Sequence, residues 1–248
     1  SASSNTGLGD TVFSALTSGD FNTAVGFKAL EDHTTGASNT AIGAQALMNN
    51  TTAANNVAVG ISALKTNTTG ASNVAIGKNS LDANTTADNN TAVGADSLGA
   101  NTTGAENVAV GANALDANTT GASNVAVGQG ALDTNTTANN NTAVGHDSLK
   151  LNTTGAENTA VGKGALTNNT TADNNTAMGR SALNKNTTGF ANTAIGSLAG
   201  DALTTGNNNI AIGVNALGAE TLGDRSVAIG NEALLVQNFT SSTDAYNV

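Results

Sequence analysis

The stretch Asn22–Ser38 reads NTAVGFKALEDHTTGAS, and the next seventeen residues, Asn39–Asn55, read NTAIGAQALMNNTTAAN. The glycine that closes each N-[TV]-A-[VI]-G motif, which we call the strand glycine, recurs every seventeen residues. It does so fourteen times, from Gly9 to Gly230, with no insertion or deletion. Self-similarity at a fixed period is typical of folds in which one short unit stacks on the next.

A period of seventeen is too short for a helical hairpin, which needs about 33 residues, and it suits one turn of a β-solenoid. The N-[TV]-A-[VI]-G segment alternates and is rich in β-branched residues, as strands are. The absence of proline fits a backbone whose N–H groups are needed for ladder bonds. We therefore predict an all-β parallel β-solenoid of about fourteen coils over residues 1–234. Residues 235–248 are predicted to be a cap, the start of a neck or a further coil.

The composition narrows the function classes. The 248 residues carry a net charge of −10, which argues against a nucleic-acid binder, because such a protein needs a basic face. The chain has no cysteine, which excludes disulfides and thiolate metal sites. No apolar run approaches the roughly 18 residues of a membrane span, so we expect no membrane contact within this segment. An export signal, if the protein is secreted, is expected outside it.

Period two divides each motif into two faces. The alanine two residues before the strand glycine is nearly invariant, so we place it, with the leucine four residues after the glycine, inside a narrow coil. The apolar residue just before the glycine then lies outside and forms a stripe that demands a partner, most simply other copies of the chain. The reverse placement, with Val and Ile inside, stays open and would weaken this argument. The presumed inter-chain stripe contains Val25, Ile42, Val59, Ile76, Val93, Val110, Val127, Val144, Val161, Met178, Ile195, Ile212 and Ile229.

Asparagine stands four residues before the strand glycine in nearly every copy. Stacked amides can hydrogen-bond from coil to coil, so we predict a structural ladder at a buried corner, with a ligand-reading row as the alternative. This first asparagine rank contains Asn22, Asn39, Asn56, Asn73, Asn90, Asn107, Asn124, Asn141, Asn158, Asn175, Asn192 and Asn209.

An N-T-T sequence recurs with the same period, and each copy is formally an acceptor for N-glycosylation. The competing interpretation is that Asn and Thr are good corner residues that also form ladders. The asparagines of this second rank are Asn50, Asn67, Asn84, Asn101, Asn118, Asn135, Asn152, Asn169 and Asn186. Regularly spaced threonine hydroxyls also suggest ice binding as a function, although only one threonine of each adjacent pair can face outward.

Catalysis has almost no support in the sequence. His33 and His146 are far apart and are predicted to be isolated, exposed turn residues, since a catalytic or metal site needs partners. Asp82, Asp116 and Asp133 share a coil position, but the calcium pattern G-G-x-G-x-D is missing. We therefore predict that the chain is not an enzyme and has no catalytic residue, no metal and no cofactor.

The N-[TV]-A-[VI]-G motif, followed by a small residue and leucine, resembles the head repeat of trimeric autotransporter adhesins. The copy SVAIG at Ser226–Gly230 matches that repeat letter for letter, and the resemblance covers nearly the whole chain. SSTDAYNV at Ser241–Val248 resembles the start of an adhesin neck. The N-T-A-[VI]-G and N-T-T-G repeats are also similar to segments of bacteriophage tail fibres.

The adhesin resemblance implies a left-handed β-roll, a homotrimer and binding to a host-surface or matrix receptor. The adhesin repeat is usually nearer fourteen residues, so each coil here has a longer corner. We accordingly predict an extracellular fibre head, on a bacterial surface or a virion, that mediates attachment. The alternatives are a self-assembling fibril or tail-fibre shaft and an ice-binding solenoid.

Overall fold

The computed structural model describes residues 4–239 and Ser241, and within them it contains short β-strands and no helix. The chain divides into two compact units, residues 1–123 and 124–248. The strands of the first unit are β1 Thr6–Leu8, β2 Thr23–Val25, β3 Thr40–Ile42, β4 Val57–Val59, β5 Val74–Ile76, β6 Thr91–Val93 and β7 Val108–Val110. Those of the second unit are β8 Val125–Val127, β9 Thr142–Val144, β10 Thr159–Val161, β11 Thr176–Met178, β12 Thr193–Ile195, β13 Ile210–Ile212 and β14 Val227–Ile229.

Within each unit, consecutive strands pair in parallel with a register of seventeen residues. Val57, for example, lies opposite Val74, and Ala58 lies opposite Ala75. In the second unit Thr159 lies opposite Thr176. The prediction of an all-β parallel solenoid with seventeen-residue coils is therefore confirmed. Each residue has its equivalent in the next coil as its neighbour.

Backbone hydrogen bonds between coils continue well beyond the three-residue strands. In the strand region the amide of Val57 donates to the carbonyl of Asn73 over 2.8 Å. On the far side of the same coil the amide of Leu64 donates to Ser80 over 3.0 Å, and that of Thr68 donates to Thr85 over 2.9 Å. The coils are thus bonded to each other around most of their circumference, which satisfies backbone groups that burial would otherwise leave unpaired.

Left-handed backbone conformations make the corners of each coil. In the coil of Gly60 the residues Ser62, Leu64 and Ser72 have φ of 58°, 51° and 58°. This conformation costs a side-chain-bearing residue roughly 1–2 kcal/mol. At Leu64 the cost is offset because the side chain is fully buried, which contributes about 2 kcal/mol. The leucine rank therefore turns the chain and fills the interior at once.

The strand glycines are required where consecutive coils come closest. Gly94 has φ +138°, and a Cβ atom on it would lie 2.5 Å from the carbonyl oxygen of Gly111 in the next coil. No side chain can occupy that space, because the obstructing atom belongs to the backbone. Glycine at this position therefore sets the distance between coils.

The interior of the coil is narrow and filled mainly by alanine, leucine and asparagine. Ala58, Ala63 and Leu64 are completely buried, whereas Val57 and Val59 are only half-buried. The placement with alanine and leucine inside is thus the one that the fold adopts. The branched residues of every strand point outward.

Only part of the segment 235–248 is among the described residues. The amide of Phe239 donates to Glu220 Oε1 over 3.1 Å, and Gln237 Nε2 donates to Glu220 Oε2 over 3.3 Å. These bonds hold residues 237–239 against the preceding coil. The resemblance to a neck at Ser241–Val248 falls outside the described residues, except for Ser241.

Replacing the strand glycine Gly94 by alanine is expected to destabilise the first unit by about 2 kcal/mol or more, because it adds both a clash and backbone strain. Gly99→Ala in the same coil is the matched control. The atom nearest to its Cβ would be Oδ1 of the Asp116 side chain, at 2.7 Å, the nearest backbone atom is the oxygen of Asp96 at 3.3 Å, and Gly99 does not have a positive φ. Urea unfolding followed by circular dichroism measures both variants. Equal stability losses would contradict the account of close coil contact.

Candidate functional site

The outer face of the strands is the main apolar surface of each unit. We use the name outer sheet face for the outward residues of the strands, one and three positions before each strand glycine. Ile42 and Ile76 are 42% and 40% exposed in the first unit, and Met178 is 43% exposed in the second. Because these positions repeat in every coil, the face is a continuous ladder within each unit, made of Val, Ile and Thr apart from Leu8 and Met178.

The residue just after the strand glycine lies beside this face and is highly variable. Phe27 and Ile61 are 48% and 56% exposed, so the apolar surface extends beyond the strands at these coils. At the same coil position Lys163 and Arg180 are exposed and charged. The turns therefore differ from coil to coil while the sheet face stays uniform.

The first asparagine rank lies inside the coil, and its members from Asn22 to Asn209 are at most 1% exposed. In a representative coil, Asn39 Oδ1 accepts the backbone amide of Asn56 over 3.1 Å. Its Nδ2 donates across the coil to the carbonyl of Ala53 over 2.9 Å. Each such side chain therefore links one coil to the next and also braces two sides of its own coil.

The second asparagine rank is a chain of amides that runs through the interior of each unit. Asn67 Nδ2 donates to Asn50 Oδ1 over 3.0 Å, and Asn84 Nδ2 donates to Asn67 Oδ1 over 2.8 Å. In the second unit Asn169 Nδ2 donates to Asn152 Oδ1 over 2.8 Å. The amides thus point head to tail, with each of these oxygens facing the nitrogen of the following coil.

Both ranks meet at one backbone carbonyl in coils that carry an asparagine of each rank. The oxygen of Gly70 accepts Nδ2 of Asn56 and Nδ2 of Asn67, each over 2.9 Å. The oxygen of Ala53 accepts Asn39 and Asn50 in the same way, over 2.9 and 3.2 Å. Both lone pairs of the carbonyl are used, so the two ranks form one network rather than two separate ladders.

This arrangement decides what the N-T-T sequences can carry. All nine asparagines of the second rank are fully buried, and the Nδ2 atom that would bear a sugar is used for hydrogen bonds inside the coil. An N-linked glycan on these nitrogens is not compatible with the folded coil. The sequence left this rank open between glycan acceptors and corner residues that form a ladder. Its seventeen-residue spacing, shared with the first rank, was the signal that it too could be interior.

His33 occupies the position of a second-rank asparagine. It is fully buried, so the prediction of an exposed turn residue was wrong for His33, whereas His146 is exposed as predicted. Its Nε2 lies 2.8 Å from the carbonyl oxygen of Gly36, and its Nδ1 lies 3.0 Å from Nδ2 of Asn50. The imidazole thus makes the same two kinds of contact as an amide. When the copies are aligned at the seventeen-residue period, His33 occupies the same coil position as Asn50 in the next copy.

The second rank is interrupted in the coil of Gly196. There Gly200, with φ +58°, replaces the usual leucine, and Leu203 replaces the usual asparagine. A Cβ on Gly200 would lie 3.1 Å from Leu203 Cδ1, so Leu203 fills the space that the missing leucine leaves. Because Leu203 has no donor, Asn186 Oδ1 is buried without a hydrogen-bond partner.

Three aspartates of the turns are half-buried, one in the first unit and two in the second. Burial raises the pKa of the Asp82 carboxyl in the first unit and of the Asp133 and Asp201 carboxyls in the second, and a neighbouring lysine opposes each rise. Among residues 4–239 and 241, no group of three or more His, Asp or Glu side chains is placed to hold a metal ion. The same residues form no pocket. No helix among them could span a membrane.

The chain matches no protein-family model and no curated protein. The features that bear on its function are the outer sheet face, the interior network and the turns.

Removing one amide from the second rank is expected to cost more than removing an exposed hydroxyl. Asn84→Ala leaves Asn67 Oδ1 without its donor and removes one of the donors to Ala87 O, so we expect a loss of about 2–4 kcal/mol. Thr86→Ala, at an exposed position of the same coil, should change stability by less than about 0.5 kcal/mol. Urea unfolding of both variants measures the difference, and similar small losses would contradict the role of the network.

The paired replacement of leucine by Gly200 and of asparagine by Leu203 in the coil of Gly196 can be reversed. Gly200→Leu alone should be destabilising, because the new side chain collides with Leu203 and Leu183. Leu203→Asn alone should leave a cavity. The double variant restores the usual pair and supplies a donor to Asn186 Oδ1. We expect it to be more stable than either single variant, with a coupling free energy of about 1–3 kcal/mol in a double-mutant cycle. Additive effects would contradict the compensation.

Proposed function

We propose that this chain is a structural repeat protein that serves as the rigid head of an extracellular fibre and mediates attachment to a surface. In this proposal several copies, most simply three, pack together through the outer sheet face. The observation that carries the proposal is the outward position of Val, Ile and Thr in nearly all strands, while the coil interior is already filled by alanine, leucine and asparagine.

The energetics favour association along this face. Burying the exposed part of one branched side chain stabilises a complex by roughly 1 kcal/mol. One such side chain per coil adds up along a unit, and association must overcome a cost of roughly 4–15 kcal/mol. A second copy of the chain offers side chains at the same spacing, so two faces can match over their full length. Three copies around an axis form a closed assembly, in which no face remains exposed.

We assign the attachment role to the turns. The interior positions are nearly constant, because packing and hydrogen bonding restrict them. The residues after each strand glycine, such as Phe27, Ile61 and Arg180, vary and are exposed. Variable exposed residues on a rigid scaffold are where binding residues concentrate. The proposed partner is a host-surface or matrix receptor, and the proposed location is a bacterial surface or a virion fibre.

Two alternatives differ in their assembly. A fibril or tail-fibre shaft would use the same face without a receptor. An ice-binding solenoid would be a monomer, and the exposed threonine rank that includes Thr52, Thr69 and Thr86 favours it. Against ice binding, the hydroxyl of the neighbouring Thr51 is bonded to the carbonyl of Thr68 over 3.1 Å. Only one threonine of each adjacent pair therefore faces water, and charged residues such as Glu106 lie near it in sequence.

Light scattering on the purified chain tests the assembly directly. We expect a mass three times that of the 24.1 kDa chain. The variant Ile42→Glu/Ile76→Glu places charges on the outer sheet face and should dissociate the assembly to monomers, because each carboxylate would lose its hydration in the interface.

The matched control is Thr52→Glu/Thr86→Glu, which adds the same charges to the same two coils at exposed positions away from the strands. It should leave the mass unchanged. A monomeric parent chain would contradict the interface, and thermal hysteresis of that monomer would favour ice binding. Long polydisperse polymers would favour the fibril. An assembly that survives in the isoleucine variant would show that another surface joins the copies.

A further inference from the structure

The second asparagine rank begins with a residue that can change its charge. In the first unit the rank position is occupied in turn by Leu16, His33 and then Asn50, followed by further asparagines. Leu16 has no polar side-chain atom, so His33 is the first polar group of the rank. The protonation state of the imidazole therefore affects its hydrogen bond to Asn50 and, through Asn50, the rest of the rank.

The hydrogen bonds of His33 determine its tautomer. The carbonyl oxygen of Gly36 can only accept, so the Nε2 atom, 2.8 Å away, carries the hydrogen. Asn50 Nδ2 can only donate, so the Nδ1 atom, 3.0 Å away, must accept and carries none. Both nitrogens are satisfied only in the neutral imidazole.

Asn50 cannot turn its amide around to accommodate a change at His33. Its Oδ1 accepts Asn67 Nδ2 over 3.0 Å, and its Nδ2 also donates to the carbonyl of Ala53 over 3.2 Å. Reversing the amide would place two oxygens together at Ala53 and two nitrogens together at Asn67. The next amide would then have to reverse as well, because the rank is head to tail. A proton on Nδ1 of His33 would therefore face a donor that has no alternative orientation.

Among the described residues, no charged side chain contributes to the shift in the pKa of His33. A Cβ on Gly19 in the preceding coil would lie 3.1 Å from His33 Nε2, so that side of the ring is closed by backbone. The neighbouring acidic residues in its own coil lie outside: Glu31 pairs with Lys28 over 3.1 Å, and Asp32 is exposed. In the next coil the ring meets the uncharged Asn50. Among the described residues, no carboxylate hydrogen-bonds the imidazole.

We propose that His33 is an acid-sensitive cap of the second asparagine rank, which holds the first coils closed at neutral pH and opens them when it is protonated. The opening involves the coils that contain Leu16, His33 and Asn50, since their interior contacts depend on the neutral ring. The device would let the first coils loosen in an acidified compartment or medium. This response to acid does not depend on which surface the chain attaches to.

The sign of the effect follows from the burial of the ring. Loss of hydration lowers the pKa of His33 below its usual value of 6.5, and the backbone groups of Gly36 and Asn50 oppose this only in part. The unfolded coils bind the proton more readily than the folded coils. The stability that the cap contributes is therefore fully present above about pH 6.5 and is lost as the pH falls from there toward the folded pKa.

Hydrogen exchange of the whole chain, read by mass spectrometry between pH 7.5 and pH 5 and corrected for the intrinsic rate, tests the proposal. In the parent chain the opening equilibrium of the coils around His33 should increase about tenfold for each pH unit below the usual pKa, since opening takes up one proton. Peptides around Asn152 and Asn169, where the rank contains only asparagine, serve as the internal reference and should not change.

The variant His33→Asn continues the amide rank without a titratable group and should abolish the pH dependence of the first coils. The control variant His146→Gln removes the exposed histidine and should behave as the parent does. If His33→Asn fails to fold, the ¹⁵N shifts of the His33 ring in the parent chain decide. They should report the neutral Nε2–H form throughout the folded range. Unchanged exchange in the parent chain at pH 5, equal loss of protection in His33→Asn, or a protonated His33 in the folded chain would overturn the proposal.

Discussion

Consecutive coils approach each other so closely at the strand glycine that a single Cβ atom does not fit between them. At Gly94 the obstructing atom is the carbonyl oxygen of Gly111, and the equivalent contact recurs along both units. This approach holds the coils at the spacing that backbone hydrogen bonding requires, about 4.8 Å. It also explains why no copy of the repeat carries an insertion, because one extra residue would turn every outward side chain into the interior.

The interior follows from that constraint. A coil this narrow has room for alanine at the strand and for one leucine at the corner, and the remaining space is polar. The two asparagine ranks fill it with amides whose donors and acceptors are matched between coils and across each coil. Buried amides are stabilising only when they are fully paired, and here the shared carbonyl in each coil completes the pairing. Where the pattern changes, the neighbours change with it. Gly200 accompanies Leu203, and Gly7 leaves room for Val12 and Phe13.

Much of this fold could be predicted from the sequence, because a strict period gives the register of the strands directly. The alternation within N-[TV]-A-[VI]-G separated two faces, and the near-invariant alanine favoured its placement inside, although the reverse placement stayed open. The sequence did not reveal that Leu64 and its equivalents adopt a left-handed backbone, because leucine rarely does so without a buried site to offset the cost. The sequence was also misleading at His33, because a single histidine in a predicted turn was expected to be exposed. The side chain is buried because its ring nitrogens make the hydrogen bonds of an amide. This depends on its position in the second asparagine rank and not on the neighbouring residues in the sequence.

The claim that supports all others is that residues seventeen apart are stacked neighbours. Electron spin resonance between pairs of spin labels measures this directly on the exposed threonine rank of the first unit. With one label at Thr35, the second would be placed at Thr103 or at Thr120, four and five coils away. Stacked coils predict distances of about 19 Å and about 24 Å, which differ by one coil spacing. Distances that are broad, or that do not increase by that step, would contradict the stacked solenoid.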